Sequence, residues 1–347
     1  GFMKPEYLMG ALFTRFFADP FDIKGDDRLK LLKLRVIRVI NNWSKIAPYH
    51  LTDIVKNALF KFISFVKNDE TIVRYIPLLE KSLHQEVTSY VCQQIPPVPI
   101  VPKTPDSQWT LLNLSPIEVA RQMTLIHYSS YTGISPAEVL SVICASKNSQ
   151  HLNELIDRFN LESGYITKSI LDGDSPQRRA KIYMHWIEVA EELLKNQNYH
   201  GIFTVMSGLK HQSIIRMKET MKVISKATCV KKSVIEKLMN LTEISNDFGN
   251  YRKELETKGQ PAIPFIGCLQ RDLVYIQESF PTRINDLINI KKLQHCDEVI
   301  SKVTLFQGIG YPFIHLPQVQ EILLNLPPPL ELFDLMRLSQ SKEPINH

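Results

Sequence analysis

The sequence predicts an all-α protein, because helical periodicity dominates it and signals for strands are scarce. Its 347 residues include only 13 glycines and almost no alternation of apolar and polar residues. Many long stretches instead repeat apolar residues with the 3.6-residue period of a helix. With 44% apolar and 22% charged residues the chain can bury a large core, and its length favours two domains over one.

The N-terminal part is predicted to contain several amphipathic helices. The clearest covers residues 27–44, and more are predicted between residues 51 and 93. The apolar stripe of the helix over residues 27–44 is formed by Leu32, Val36, Val39 and Trp43.

A cluster of five prolines between residues 96 and 105 interrupts the helical pattern. Proline breaks a helix and also disfavours helix at the residue before it, so no helix can cross this segment. We therefore expect an N-terminal helical domain over residues 1–94, a proline-rich linker over 95–108 and a larger helical domain over 109–347.

Serine followed by proline marks the helix starts after the linker. Ser115-Pro116 and Ser135-Pro136 are each followed by a glutamate at the third helical position, which predicts two capping boxes. Ser175-Pro176 predicts a further helix start. The remaining periodic segments predict helices over residues 233–246, 267–278, 282–306 and 317–326.

Charge and cysteine usage narrow the functional class. The formal charge of +5 is spread along the chain, and lysine and arginine never cluster beyond pairs, so no nucleic-acid partner is predicted. The five cysteines are widely spaced without a Cys-x-x-Cys pair, which predicts neither disulfides nor a zinc site and favours the reducing cytoplasm. No apolar stretch approaches the length of a membrane span, so no intrinsic membrane segment is expected.

Motifs for nucleotide or covalent chemistry are missing from the sequence. It contains no phosphate-binding Gly-x-x-x-x-Gly-Lys-Ser/Thr, no His-Glu-x-x-His and no Gly-x-Ser-x-Gly. Its one close glycine pair, Gly308 and Gly310, lacks the third glycine of a dinucleotide site. We therefore predict no cofactor, no bound metal and no covalent reaction.

A series of short sequence blocks lies between residues 111 and 342. They are 116–126 (PIEVARQMTLI), 157–160 (DRFN), 179–192, 198–202 (NYHGI) with 213–216 (SIIR), 250–252 (NYR), 263–267 (IPFIG) with 272–278 (DLVYIQE), 287–289 (LIN) and 317–321 (PQVQE). In content and order this series resembles the catalytic domain of Ras-family guanine nucleotide exchange factors, the RasGEF domain. Residues 3–88 look like the Ras exchanger motif that precedes that domain in the family.

The resemblance implies a helical hairpin at about residues 267–306, with its turn near 279–283, that protrudes and enters the nucleotide site of a small GTPase. Val274 matches the apolar residue that enters the Mg²⁺ site, and Glu278 matches the carboxylate that approaches the α-phosphate position. Four residues apart on a helix, the two side chains share one face. The implied partner is a membrane-anchored GTPase of Ras, Rap or Ral type, which would recruit the chain to the inner face of a membrane.

The resemblance also implies an apolar pocket with polar anchors that grips switch II of the GTPase. The matching positions are Arg121, Thr124, Asn160, Ile215, Arg216 and Phe265. Three of them have a simpler interpretation: Arg121 as a solvated helix charge, Phe265 as a core aromatic and Asn160 as a loop or cap residue.

The chain departs from the family pattern at His127, Asn153, Ile215, Gln277 and Ser279. Asn153 and Ile215 leave open the shape of the switch II pocket, and differences of this kind leave open the choice of GTPase. An alternative function is an exchange-factor-like scaffold that binds a GTPase without catalysis. A second GTPase site at the N-terminal domain also stays open.

Overall fold

The computed structural model describes residues 5–17, 26–46, 53–83, 95–143 and 149–344. Contacts divide the chain into two compact units, residues 1–89 and 90–347. Helices dominate the described residues, and the strands among them are two residues long, so the predicted all-α class is confirmed. Cys92 and Cys144 lie outside the described residues.

The first unit is built from four described helices: α1 Pro5–Phe16, α2 Asp26–Ile46, α3 Asp53–Val66 and α4 Ile76–Leu83, with a 3-10 turn at Val73–Tyr75 before α4. Its core includes Ile40, Leu59 and Leu79, all fully buried. Val39 was predicted to lie on the apolar stripe of α2, and this prediction is wrong, because Val39 is 45% exposed. Ile37 and Ile40 are buried instead, so the buried face is centred about one position further round the helix.

The second unit contains the remaining helices and a small β-hairpin. The helices are α5 Pro116–Gly133, α6 Pro136–Ile143, α7 Gln150–Leu171, α8 Pro176–Lys195, α9 Tyr199–Leu209, α10 Gln212–Ile215, α11 Lys218–Thr228, α12 Lys232–Leu241, α13 Ser245–Glu256, α14 Ile266–Ser279, α15 Ile290–Thr304, α16 Pro317–Leu324 and α17 Leu332–Lys342. Two 3-10 turns lie at Asp106–Gln108 and Cys229–Lys231, and the strands are β1 Arg283–Ile284 and β2 Leu287–Ile288.

Helix α9 lies at the centre of this unit. It is buried on nearly every side, as expected of a helix apolar all round, and it packs against α7 and α8. Trp186 of α8 is fully buried, and its indole nitrogen donates to the Ser169 hydroxyl at 3.0 Å.

The predicted helix starts are correct, but the capping differs. The Ser175 side chain accepts from the backbone N–H of Arg178 at 3.1 Å, and the Ser135 side chain accepts from the N–H of Glu138 at 3.3 Å. Ser115 makes no capping hydrogen bond. Neither glutamate completes a box, because each binds elsewhere. Glu118 accepts from the backbone N–H of Ile100 at 3.1 Å, and Glu138 accepts from the first turn of α7, including the N–H of His151 at 3.0 Å.

The proline-rich segment lies along α5. Besides the bond from Ile100 to Glu118, the guanidinium of Arg121 donates to the backbone oxygen of Val98 at 3.2 Å. This contact places residues 98–100 with the second unit. The domain limits at residues 94 and 108 stay a prediction.

Two predicted helices have different limits in the structure. The helix predicted over 282–306 begins only at Ile290, because residues 283–288 form the antiparallel hairpin, with Arg283 opposite Ile288. Its turn residues Asn285 and Asp286 have φ values of 49° and 64°, the conformation that tight hairpin turns require. The helix predicted over 233–246 ends at Leu241. No helix among the described residues is long and apolar enough to cross a membrane.

Candidate functional site

Helices α14 and α15 form an antiparallel hairpin joined by β1 and β2. Leu273 and Ile276 of α14 share a buried cluster with Cys296, Val299 and Val303 of α15. Residues 281–288 at the tip are all exposed. The hairpin therefore has an apolar seam at its base and a solvent-exposed end, and its turn is centred slightly after the predicted position.

The two residues predicted to act on the nucleotide site lie on the outer face of α14. Val274 is 45% exposed, its neighbour Tyr275 is 62% exposed, and Glu278 is also exposed. Among the described residues Glu278 has no hydrogen-bond or ion-pair partner. One turn of helix thus presents a short apolar side chain and a carboxylate to solvent side by side.

Phe265, the N-cap residue of α14, is the centre of an aromatic cluster. Its half-buried ring stacks on Phe203 of α9, with ring centroids 3.9 Å apart and planes 2° from parallel. Its backbone N–H donates to the hydroxyl of Tyr251 at 2.8 Å. The other rings of the cluster are Phe159, His200 and Phe248.

Gly267 is required by the position of the Phe265 ring. A Cβ at residue 267 would lie 2.3 Å from the ring, far inside van der Waals contact. The sequence Phe265-Ile266-Gly267 therefore allows the ring to fold back over the first turn of α14.

A buried polar network lies behind this cluster. His127 Nε2 is 2.9 Å from Glu162, whose other oxygen accepts from Arg158 at 2.9 Å. The Asn198 amide donates to His127 Nδ1 at 3.1 Å and to the Thr124 hydroxyl at 3.1 Å. Because Nδ1 accepts, His127 carries its proton on Nε2 and donates it to Glu162.

Two groups of this region have shifted pKa values. Burial raises the pKa of Glu162, but the contacts with His127 and Arg158 outweigh it and leave that pKa below its ordinary value. Burial lowers the pKa of His200 to about 3, so this imidazole is neutral. Within the described residues neither ring nitrogen of His200 has a hydrogen-bond partner.

The six predicted anchor residues differ in how accessible they are. Asn160 and Ile215 are exposed, Ile215 by 54%, and Phe265 is half-buried. Thr124 is fully buried and so has no surface to offer a partner. It lies instead beneath Asn198 in the polar network.

Both predicted arginine anchors bind residues of their own chain. Arg121 lies 3.3 Å from Glu118 and bonds Val98. Arg216 donates to the Ser339 hydroxyl at 2.8 Å and to the backbone oxygen of Glu343 at 3.0 Å, which ties α10 to the C-terminal helix.

Sequence reasoning missed Phe203, Phe248, Glu162 and Asn198 as members of this region. Phe203 lies in α9, whose sequence is largely apolar on all sides and so does not single out one face. Asn198 had a local signal, because its side chain also caps α9 through the N–H of Gly201 at 2.9 Å. The described residues contain no cluster of histidine, cysteine, aspartate and glutamate able to hold a metal ion.

Comparison with known proteins identifies related sequences. The model of the RasGEF domain family matches residues 118–294, half of the chain. Ras guanine nucleotide exchange factor P of Dictyostelium discoideum is 27% identical in an alignment 374 residues long. This alignment covers 99% of this chain and 24% of that protein. Exchange factor K of the same organism is 33% identical over 66% of this chain and 15% of its own length. Exchange factor A is 26% identical over 98% of this chain and 58% of its own length, so the chain spans only part of each relative.

Proposed function

Because this chain belongs to the RasGEF domain family, we propose that it accelerates guanine-nucleotide release from a Ras-family small GTPase. The observation that carries this proposal is the pairing of Val274 and Glu278 on the outer face of α14, exposed and unpaired with the rest of the described chain. The reaction makes and breaks no covalent bond. The chain acts by stabilising the GTPase with its nucleotide site empty.

The chemistry of the GTPase explains why such a pair is useful. A small GTPase holds its nucleotide with backbone N–H groups, a lysine and a Mg²⁺ ion that bridges phosphate oxygens. Val274 occupies space near the ion and offers no ligand, which disfavours Mg²⁺ because that ion demands a near-complete oxygen shell. Glu278 accepts hydrogen bonds from donors that the departing phosphate leaves unpaired.

The energy required is within the range of a protein interface. A 10⁴-fold acceleration corresponds to roughly 5.5 kcal/mol, at about 1.36 kcal/mol for each factor of ten. In this proposal the hairpin inserts as a preformed element, because its apolar seam already holds α14 against α15. Contacts elsewhere supply the remaining binding energy.

We assign these further contacts to the switch II region of the GTPase. Phe265 and Ile215 supply apolar surface for one of its side chains, and Asn160 supplies a polar anchor. Thr124 acts indirectly in this proposal, by positioning Asn198. Arg121 and Arg216 either exchange their internal partners for GTPase groups or shape the surface from behind.

The proposed domain organisation follows the family. Residues 1–94 would be a Ras exchanger motif domain, 95–108 a linker and 109–347 the catalytic domain. The partner would be a GTPase of Ras, Rap or Ral type, and membrane attachment would come from that partner.

The test is an exchange assay across these GTPase types. Catalytic amounts of the chain should speed the loss of a fluorescent guanine nucleotide from at least one of them. Glu278→Ala should slow this exchange by roughly tenfold or more, the equivalent of about 1.4 kcal/mol, with complex formation still measurable. Glu236→Ala is the matched control, because this glutamate is also exposed but lies on α12, outside the hairpin.

Two results would contradict the proposal. Absence of acceleration for every GTPase on the panel would remove the exchange function. Binding without acceleration, equally strong in the wild type and Glu278→Ala, would instead support a non-catalytic scaffold.

A further inference from the structure

Three consecutive residues near the start of α13 have left-handed backbone conformations. Asn246, Asp247 and Phe248 have φ values of 53°, 54° and 57°. This conformation is unfavourable for residues other than glycine and is least expected for a bulky residue such as phenylalanine. Surrounding contacts must therefore hold the turn in place.

Arg252, one helical turn further on, provides part of this support. Its Nε donates to the backbone oxygen of Asp247 at 2.9 Å, and its Nη2 lies 3.1 Å from the Asp247 carboxylate. The Phe248 ring packs edge-on against Phe203 and Phe265 of the aromatic cluster. The turn is thus held by a charged contact on one side and by aromatic packing on the other.

The same arginine connects α13 to the hairpin. Its two terminal nitrogens donate to the two oxygens of Asp272 in α14, at 3.0 and 2.6 Å. Hydrogen bonding to Asp272 raises the pKa of Arg252 further above its ordinary value. Such bidentate pairs fix relative orientation as well as distance.

A second ion pair joins the two helices, with its arginine on α14 and its aspartate on α13. Arg271 of α14 lies 3.1 Å from the Asp247 carboxylate, and its guanidinium lies 5.5 Å from the centre of the Phe248 ring. We call the four residues Asp247, Arg252, Arg271 and Asp272 the clamp.

Apolar packing does not fill the space beside the clamp. A cavity of about 180 Å³ lies between α13 and the hairpin, lined mainly by apolar side chains such as Tyr251, Leu255, Leu269, Val299 and Val303. Well-packed interfaces hold their orientation by interdigitation, which this gap interrupts. The charged contacts therefore bridge an interface that hydrophobic packing leaves incomplete.

The position of Asp272 relates the clamp to the exposed pair. Two residues along a helix correspond to a rotation of about 200°, so Asp272 and Val274 lie on nearly opposite sides of α14. A contact that holds Asp272 towards α13 directs Val274 and Glu278 away from it.

We propose that the clamp is a positioning device that sets the orientation of the hairpin, with Asp272 and Arg252 as its principal residues. The effect of this orientation on activity rests on the proposed exchange function, because the orientation of the hairpin determines whether Val274 and Glu278 reach the nucleotide site. None of the four residues needs to touch the nucleotide or its metal ion.

Electron paramagnetic resonance distance measurements test the orientation directly, without any GTPase. Spin labels are attached through Lys253→Cys on α13 and Leu287→Cys at the tip, in a background with Cys92, Cys144 and Cys229 changed to serine. Asp272→Asn removes the charge at nearly constant size and should broaden or shift the distance distribution. Asp272→Glu keeps the carboxylate, has room in a neighbouring cavity of about 460 Å³, and should retain the wild-type distribution.

Exchange kinetics then give the functional readout. Asp272→Asn should lower the maximal exchange rate by about tenfold and change the affinity for the GTPase by less than about threefold, because only the orientation of the active face is altered. Glu254→Gln is the matched control. It removes ion pairs to Lys237 and Lys258, which lie outside the hairpin, and should change neither the distances nor the rate.

An unchanged distance distribution in Asp272→Asn would overturn the proposal, as would equal effects of Asp272→Asn and Asp272→Glu. A wild-type chain that exchanges no nucleotide would remove the proposed function. The distance measurement would still decide whether the clamp sets the hairpin orientation.

Discussion

Substitutions at the stacked pair of Phe265 and Phe203 can distinguish a contribution to stability from a contribution to GTPase binding. Both rings lie in the same stack, 3.9 Å apart, but Phe265 is half-buried at the surface and Phe203 is buried beneath it. Replacing either by leucine removes the stacking and keeps most of the apolar volume. A role of Phe265 in GTPase binding therefore predicts similar losses of stability and different losses of affinity.

The expected magnitude follows from the geometry. An aromatic pair contributes about 0.5–1.5 kcal/mol beyond burial. Adding a small packing defect, each single substitution should lower the free energy of unfolding by about 1–2 kcal/mol. In a double-mutant cycle the coupling energy should equal the stacking contribution, about 0.5–1.5 kcal/mol.

Urea unfolding followed by tryptophan fluorescence measures these values. In a Trp43→Phe background the signal comes from Trp109 and Trp186, both in the second unit, so unfolding of the first unit does not interfere. Nucleotide exchange at limiting chain concentration then reports GTPase binding, and Phe265→Leu should weaken it more than Phe203→Leu. A coupling energy below about 0.3 kcal/mol would refute the stacking argument, and equal effects on exchange would refute a direct contact by Phe265.

Three further predictions concern stability. Ser175→Ala should cost about 1 kcal/mol and Ser115→Ala less than about 0.5 kcal/mol in thermal unfolding, because Ser175 makes a capping hydrogen bond and Ser115 does not; equal costs would contradict the assignment. The pKa of His200 is about 3 in the folded chain and 6.5 ordinarily, so below pH 6.5 the unfolded chain binds a proton that the folded chain does not. The contribution of His200 to the free energy of unfolding is therefore fully present above pH 6.5 and is lost as the pH falls. Between pH 6.5 and 4 the wild type should therefore lose about 3 kcal/mol more than His200→Leu in urea titrations, and parallel pH profiles would exclude this cause. Arg216→Ala should raise amide hydrogen exchange in α17 selectively, because the guanidinium holds Ser339 and Glu343, and unchanged protection of α17 would show that this contact is not needed.

Much of the fold was predictable because its signals are local. Helical periodicity and Ser-Pro starts predicted the all-α class and the beginnings of α5, α6 and α8. The ordered blocks predicted the family, and the match to the RasGEF domain confirms it. The β-hairpin at the tip was missed, because Asn285 and Asp286 form a tight turn inside a segment whose apolar spacing also fits a helix.

Spacing within one helix determined by itself that Val274 and Glu278 share a face, since neighbours four residues apart on a helix always do. Only the tertiary structure decided that this face is exposed, that Thr124 is buried, and that Arg121 and Arg216 bind their own chain. Arg216 finds its partner 127 residues away, and the aromatic cluster joins segments from Phe159 to Phe265. Helix periodicity extends over a few turns, whereas burial and ion pairing depend on which distant segments pack together, and only the folded chain brings those segments into contact.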